Sequence, residues 1–278
     1  MMMTAHTNTN TIRKLTKLSG LAMMPLYDWP ELHDHTDALW ARIREAARTE
    51  GLDVPEALDH RPQRLSAWMA EEVVFSQLCG SPWFRKHRHH ARYLATSDFD
   101  LMDNAPGTYF SQVVVKAASD WTSLASLNAA KLAFNDDDSQ SGVHCLRPLM
   151  AVEPLLAGGL ETGGHRFSMQ AVAAGEADFA AIDAFSFRLA ERIMPEVIAD
   201  LRVLTSTPAR PAPVLITSKA LGDDVGARMQ RAVLAGWSTV PAEITSTYAM
   251  RGAVDLGGAV YSVFDLSKSA EKSTNALV

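Results

Sequence analysis

The sequence predicts an α/β fold of two lobes with a cleft between them, and three features predict it. Apolar runs of strand length alternate with stretches whose apolar residues recur at helical spacing, the pattern of largely parallel sheets covered by helices. Turn chemistry at Asp103-Asn104-Ala105-Pro106-Gly107 and a return carrying Pro208, Pro211 and Pro213 mark two crossings, near residues 107 and 209. Two strand–turn–helix junctions, at 132–150 and 160–175, place serine, glycine and histidine where a helix start leaves backbone N–H groups unpaired. Lobe 1 is expected from residues 19–106 and 210–266, lobe 2 from 107–209, with tails at 1–18 and 267–278. Two connections then hinge the pair, and ligands bind between the lobes.

The 278 residues suffice for two lobes with cores of their own, and an apolar share of 47% is ordinary for a globular chain. A net charge of −6 gives no electrostatic support to nucleic-acid binding. Cys79 and Cys145 make neither a disulfide framework nor a zinc spacing, and read as a pair of buried thiols. The N-terminal stretch is Thr/Asn-rich and then mildly basic, without the continuous apolar segment of a secretory signal. No stretch is apolar for long enough to span a membrane. As written, the chain is expected to be soluble and to stay in the cytoplasm.

In order, a first strand is expected to begin near Ser19 and run over Gly20–Met24, closed by Pro25. Tyr27 and Trp29 follow it, where ligands enter open α/β sheets, or where aromatic rings simply cover a lobe. A helix over Thr36–Thr49 carries Leu39, Trp40, Ile43, Ala46 and Ala47 on one face and stops at Gly51. Leu65–Met69 starts a second helix, and Val73–Gly80 reads as a buried strand. Lys86-His87-Arg88-His89-His90 resembles a metal cluster, but Lys86, Arg88 and Arg92 would raise the energy of a bound cation, so it reads as a solvated basic loop. His33 and His35, in an acidic turn, read the same way; no metal set stands out and no cofactor is expected. Strands follow over 92–96 and, as one long crossing strand, 108–115.

The stretch 132–150 carries the most chemistry. Leu132, Ala133 and Phe134 end a strand, Asn135–Asp138 turn, and Ser139-Gln140-Ser141-Gly142 lead into a helix predicted from Val143, Leu146, Leu149 and Met150. Two hydroxyls and free amides at the positive end of a helix make an anion seat; an ordinary N-cap is the plainer alternative. Gly142 would weaken a helix by roughly 1 kcal/mol against Ala, which argues that something approaches the backbone closely. The three aspartates are expected to face solvent or nearby donors. The second junction, Thr162-Gly163-Gly164-His165, opens a helix on Met169, Val172 and Ala173 that stops at Gly175, and 179–183 forms a strand ending in Asp183. Beyond it come a helix over 185–197, strands at 201–204 and 214–217, a helix over 225–237 and a last strand at 259–264.

Pro25-Leu26-Tyr27, the run Asn135–Gly142, Thr162-Gly163-Gly164-His165, and Val172–Asp178 with Ile182-Asp183 resemble, in this order, the phosphate/phosphite/phosphonate-binding receptors of ABC importers. The resemblance covers roughly 21–263 and implies the type II periplasmic-binding fold, a Venus flytrap. It further implies that the Ser139 and Ser141 hydroxyls, with the amides of Gln140, Ser141 and Gly142, hold an oxyanion, and that His165 adds a hydrogen bond. Tyr27 would line the opposite lobe, and Asp183 would face the end of the ligand where an amino group sits. Neutral donors of this kind hold an anion without a counter-ion. The chain departs from the family pattern in lacking a signal peptide, in having Gln140 where the family often has Thr, and in the charge of Asp136–Asp138, which favours a zwitterion or a neutral hydroxyl-rich ligand over a dianion.

The expected function is capture of a small oxyanion or zwitterion, phosphonate- or phosphate-like, for an ABC permease. By resemblance the protein is periplasmic. A cytoplasmic ligand sensor and an enzyme on the same fold are the alternatives. No nucleophile beside a base is arguable from spacing: Cys145 falls on the core face with Leu149, and Cys79, near the cleft, is a reactive thiol or a small apolar filler.

Overall fold

The computed structural model describes residues 15–61, 72–101 and 104–265. In chain order the strands are β1 (Thr16–Lys17), β2 (Leu21–Ala22), β3 (Leu52–Asp53), β4 (Val73–Leu78), β5 (Ala91–Phe99), β6 (Thr108–Tyr109), β7 (Ser111–Lys116), β8 (Leu132–Phe134), β9 (Leu160–Glu161), β10 (Phe179–Asp183), β11 (Leu201–Ser206), β12 (Arg210–Pro211), β13 (Val214–Ser218) and β14 (Met250–Val254). The helices are α1 (His33–Thr49), the single turn α2 (Gly80–Pro82), α3 (Glu153–Gly158), α4 (His165–Ala174), α5 (Ala184–Ile193), α6 (Pro195–Ala199), α7 (Asp223–Trp237) and α8 (Ala242–Tyr248).

Two five-stranded sheets form the lobes. One has the order β14-β5-β13-β4-β2, the other β11-β7-β10-β8-β9. The crossing segments β6 and β12 pair with each other, Arg210 opposite Tyr109 and Pro211 opposite Thr108, as a separate antiparallel ribbon. The expected long strand over 108–115 is thereby two strands, one in the ribbon and one in the second sheet.

The sheets are mixed, not largely parallel. β2 runs parallel to β4, and β8 to β9 and β10, but β13 is antiparallel to β4 and β5, and β7 to β10 and β11. The reason lies in the crossings. β2, β4, β8 and β10 deliver their C-terminal ends to the cleft, whereas β7 and β13 start at the ribbon beside the cleft and must run away from it.

The apolar face predicted for α1 buries Leu39, Trp40, Ile43 and Ala47. Each large side chain so buried contributes roughly 1.5–3 kcal/mol. α7 packs on it so closely that a Cβ on Gly236 would lie 2.6 Å from Ile43 Cα. Phe99 from β5 and Phe185 from α5 stack with ring centroids 4.2 Å apart, so the floor between the sheets is aromatic.

Other expectations shift. An ordered strand begins earlier than Ser19: β1 pairs in parallel with β3, Thr16 opposite Leu52. The helix expected over 185–197 breaks at Met194 (φ −133°, ψ 53°), because Pro195 disfavours helical geometry in the residue before it. The last strand expected at 259–264 is a 3-10 helix, Gly258–Phe264, whose Tyr261 donates a 2.7 Å hydrogen bond to the Ala212 carbonyl; β14 takes the sheet edge instead. The helix expected at 65–69, residues 1–14 of the tail expected at 1–18, and the tail expected at 267–278 lie outside the described residues.

Candidate functional site

β8 ends at Phe134, and the chain then folds into a loop held by its own polar groups. The Asp138 amide donates to Asp136 Oδ1 (3.0 Å), and the Gly142 amide to Ser139 Oγ (3.0 Å). The Val143 and His144 amides both reach the Ser139 carbonyl, and the Cys145 amide reaches that of Gln140. The helix predicted after this loop is only a 3-10 turn, His144–Leu146. Helical spacing over four apolar residues is matched equally well by successive turns that bury Val143 and Leu146. A three-residue turn has no macrodipole to offer an anion. What approaches Gly142 is Asn135: a Cβ there would lie 2.5 Å from Asn135 Oδ1.

The second junction forms as predicted. Gly163 donates from its amide to the Asn135 carbonyl (2.9 Å), which ties it to the serine loop, and α4 starts at His165. His165 Nε2 lies 2.7 Å from Ser141 Oγ and 3.1 Å from Asp183 Oδ2. Burial pushes the His165 imidazole below its ordinary pKa, against the pull of the Asp183 charge. A carboxylate only accepts, so Nε2 carries the ring proton, and the Ser141 hydroxyl hydrogen is left to donate elsewhere. Asp183 also caps α5, accepting from the Ser186 amide (2.8 Å) and hydroxyl (2.6 Å). Its oxygens are turned onto Ser186 and His165, a closer engagement than the role of meeting an amino group implies. Ser141, His165 and Asp183 are the residue types of a nucleophilic triad, but both contacts fall on one nitrogen, whereas a relay places serine and carboxylate on opposite sides of the ring.

Ser139, Ser141, His165 and Asp183 line one wall of a cavity of about 690 Å³; Tyr27 lines the other. Tyr27 sits edge-on to Phe185 (4.6 Å) and Phe99 (5.5 Å), and burial, with the charge of Asp183, holds its hydroxyl well above the ordinary pKa. Gln140 and Gly142 are buried within the loop, off the cavity wall. The Gly142 amide, expected at the anion, is taken by Ser139.

Cys79 reaches the cavity wall, but burial and the charges of Asp136 and Asp183 push its thiol up, away from the thiolate a nucleophile needs. Burial pushes Cys145 up to about 12, and its Sγ donates to the Ser141 carbonyl (2.9 Å).

The sequence reading missed the contacts that bridge the mouth. Arg166 of α4 forms a two-pronged pair with Glu31 (2.7 and 2.8 Å) and lies 5.1 Å from the Trp29 ring centroid. Asp138 meets Lys86 (2.8 Å) and Arg85 (3.3 Å) from the other lobe, so this aspartate faces donors as expected. Burial works to raise its carboxyl, but hydrogen bonds from His144 and Lys86 and the nearby cations leave it lowered. Asp28, Glu31, Asp59, Asp136, Asp138 and Asp183 line the cavity against two arginines, Arg61 and Arg166. Its wall is therefore acidic around a patch of neutral donors.

Comparison with known proteins agrees with this architecture. The chain resembles a binding-protein component of an ABC phosphonate transporter from Pseudomonas aeruginosa (16% identity, TM-score 0.66, covering 87% of this chain and 83% of that one). It also resembles PhnD1 from Prochlorococcus marinus, solved with methylphosphonate (12% identity, TM-score 0.65, 94% and 99%). A Xanthomonas citri protein bound to ATP is similar in fold (15% identity, TM-score 0.61, 89% and 98%). No curated protein sequence matches the chain. No helix among the described residues is long and apolar enough to cross a membrane. The profile of the periplasmic substrate-binding proteins of phosphonate ABC transporters matches residues 75–243, well over half the chain. The protein therefore belongs to that family, a two-lobed solute-binding protein of an ABC importer.

Proposed function

We propose that the protein captures a phosphonate zwitterion, an alkylphosphonate bearing an amino group, between its lobes. The observation that carries this reading is the pairing of Ser141 with a neutral, buried His165 on the wall of an otherwise acidic cavity. The Ser139 and Ser141 hydroxyls donate to the oxyanion, and Asp183 holds His165 in place for it. Gln140 and Gly142 shape the loop without touching the solute. Tyr27 closes over the ligand from the opposite lobe, and the carboxylates of the far wall receive the amino group. A bare tetrahedral anion would leave most of about 690 Å³ unfilled; pockets of roughly 300–1,000 Å³ suit larger organic ligands. The contacts of Ser141 and Asp183 on one histidine nitrogen support binding over turnover.

The lobes divide at about residues 106/107 and 209/210 and close about the β6–β12 ribbon. Family membership supports a periplasmic location and delivery to a cognate permease. The test is a thermal-shift and calorimetric series with 2-aminoethylphosphonate, methylphosphonate, phosphate and sulfate. A ligand at 100 times its Kd adds about 2.7 kcal/mol of stability. The aminoalkyl compound should stabilise most; equal or greater stabilisation by sulfate would overturn the reading.

A further inference from the structure

We propose that Asp28, His33 and His60 form a binding site for a divalent cation of the zinc class at the mouth of the cleft. Asp28 comes from the turn after β2, His33 opens α1, and His60 lies in the loop after β3. His60 Nδ1 is 2.7 Å from Asp28 Oδ1, and His33 Nε2 is 3.4 Å from the same oxygen. One ligand atom from each residue lies within 4.8 Å of the other two. Around a zinc ion, bonded at about 2.0–2.2 Å, tetrahedral ligand atoms stand roughly 3.4 Å apart, so the ion enters as the Asp28–His60 contact opens and one imidazole rotates.

The surroundings fit a metal in two further ways. The other nitrogen of His60, Nε2, is 3.2 Å from Asp37 Oδ1, one turn along α1 from His33. Donation from Nε2–H to Asp37 leaves Nδ1 with a lone pair facing the Asp28 oxygen, an arrangement that needs a cation between them. A proton there serves one imidazole; a metal ion serves both, and a carboxylate behind a ligating histidine is the usual outer support. The two rings stack with centroids 3.9 Å apart and planes 20° from parallel, so one ring must turn out of the stack to bring both lone pairs onto one ion. The site is also reachable. Asp28 and His60 line the cavity, and the His33 side chain is 33% exposed. Two histidines and one carboxylate leave a fourth position open to water, as in sites that exchange a ligand.

None of the three residues is assigned to the oxyanion, but Asp28 is one of the far-wall carboxylates, so the test is run without solute and reads the metal alone. The test is calorimetric titration of the full chain, stripped with chelator, with Zn²⁺ alone, together with visible absorption on adding Co²⁺. One equivalent should bind, and Co²⁺ should show the intense bands of four-coordination. His33→Ala and His60→Ala should each reduce affinity at least tenfold. Asp37→Asn, a change in the supporting residue, should reduce it by about 10–100-fold. No saturable uptake of either ion, or undiminished uptake by His33→Ala, overturns the proposal in favour of a purely hydrogen-bonded network. His33 lies at a partly exposed helix start, so its variant carries the test even where His60→Ala fails to fold.

Discussion

On one wall of the cleft, Ser139, Ser141, His165 and Asp183 are each less than a tenth exposed, and His165 joins Ser141 and Asp183 through short contacts. On the other, Glu31, Asp59 and Arg61 sit at the rim, in ion pairs whose side chains are partly open to water, 44% for Glu31 and 78% for Arg61. Buried donors in a low-dielectric setting are strong when paired and expensive when orphaned. Exposed ion pairs contribute little, because water and salt screen them. The comparison teaches that the strong polar contacts lie on the buried wall, where the proposed oxyanion seat is placed, and that the contacts of the charged rim are weak and screened.

The sharpest way to break this contrast is Asp183→Ala. It removes the cap of α5 and the partner of His165 and Ser186 together, and should destabilise the protein by about 2–4 kcal/mol in urea unfolding. A loss below that of a surface substitution would mean the network carries no load. Ser141→Ala comes next: solute affinity should fall by about 1–3 kcal/mol in calorimetry while stability changes little. Intact affinity would remove the hydroxyl from the anion seat.

The pH response separates the walls by sign. The folded pKa of His165 is depressed, so its contribution is present above the unfolded value of about 6.5 and is lost as pH falls from there through the folded value. His60 behaves oppositely in the metal-free protein. Partial burial there is outweighed by the hydrogen bonds and charges of Asp28 and Asp37, which raise its pKa, so its contribution is present at low pH and lost as pH rises through the folded value. Unfolding measured at about pH 7.5 and about pH 5.5 should show a smaller acid loss in His165→Gln than in the parent; equal losses would show that the imidazole is not buried neutral. The smallest effect is expected from Glu31→Gln. Arg166 holds the Glu31 carboxyl down at about 2, yet the pair is exposed, so stability should change by about 0–1 kcal/mol and fade in salt. A larger effect, unchanged by salt, would make the rim a structural clasp.

Local patterns were legible wherever burial repeats with a regular period. The face of α1, the β4 strand, the start of α4 at His165 and the end of β10 at Asp183 all read directly from spacing. Spacing failed where few residues had to decide. Val143, Leu146, Leu149 and Met150 fit a helix, but the loop's own hydrogen bonds to Ser139 and Gln140 settled it as turns. Gly142 did mark a close approach to the backbone, by the Asn135 side chain. β14 escaped notice because a short edge strand interrupted by Gly252 has little periodicity.

By itself, the sequence determined that the chain alternates strands and helices, that its polar junctions carry Ser139, Ser141 and His165, and, through family-like motifs, what kind of protein this is. Only the tertiary structure decided that Ser141 and Asp183 share one nitrogen of His165, that the sheets are mixed, and that Glu31 meets Arg166 from 135 positions away. The physical reason is range. Periodicity and turn chemistry act over a few residues, whereas a buried polar contact exists only once two sheets, joined through a shared apolar cluster, have brought distant strand ends to one cleft.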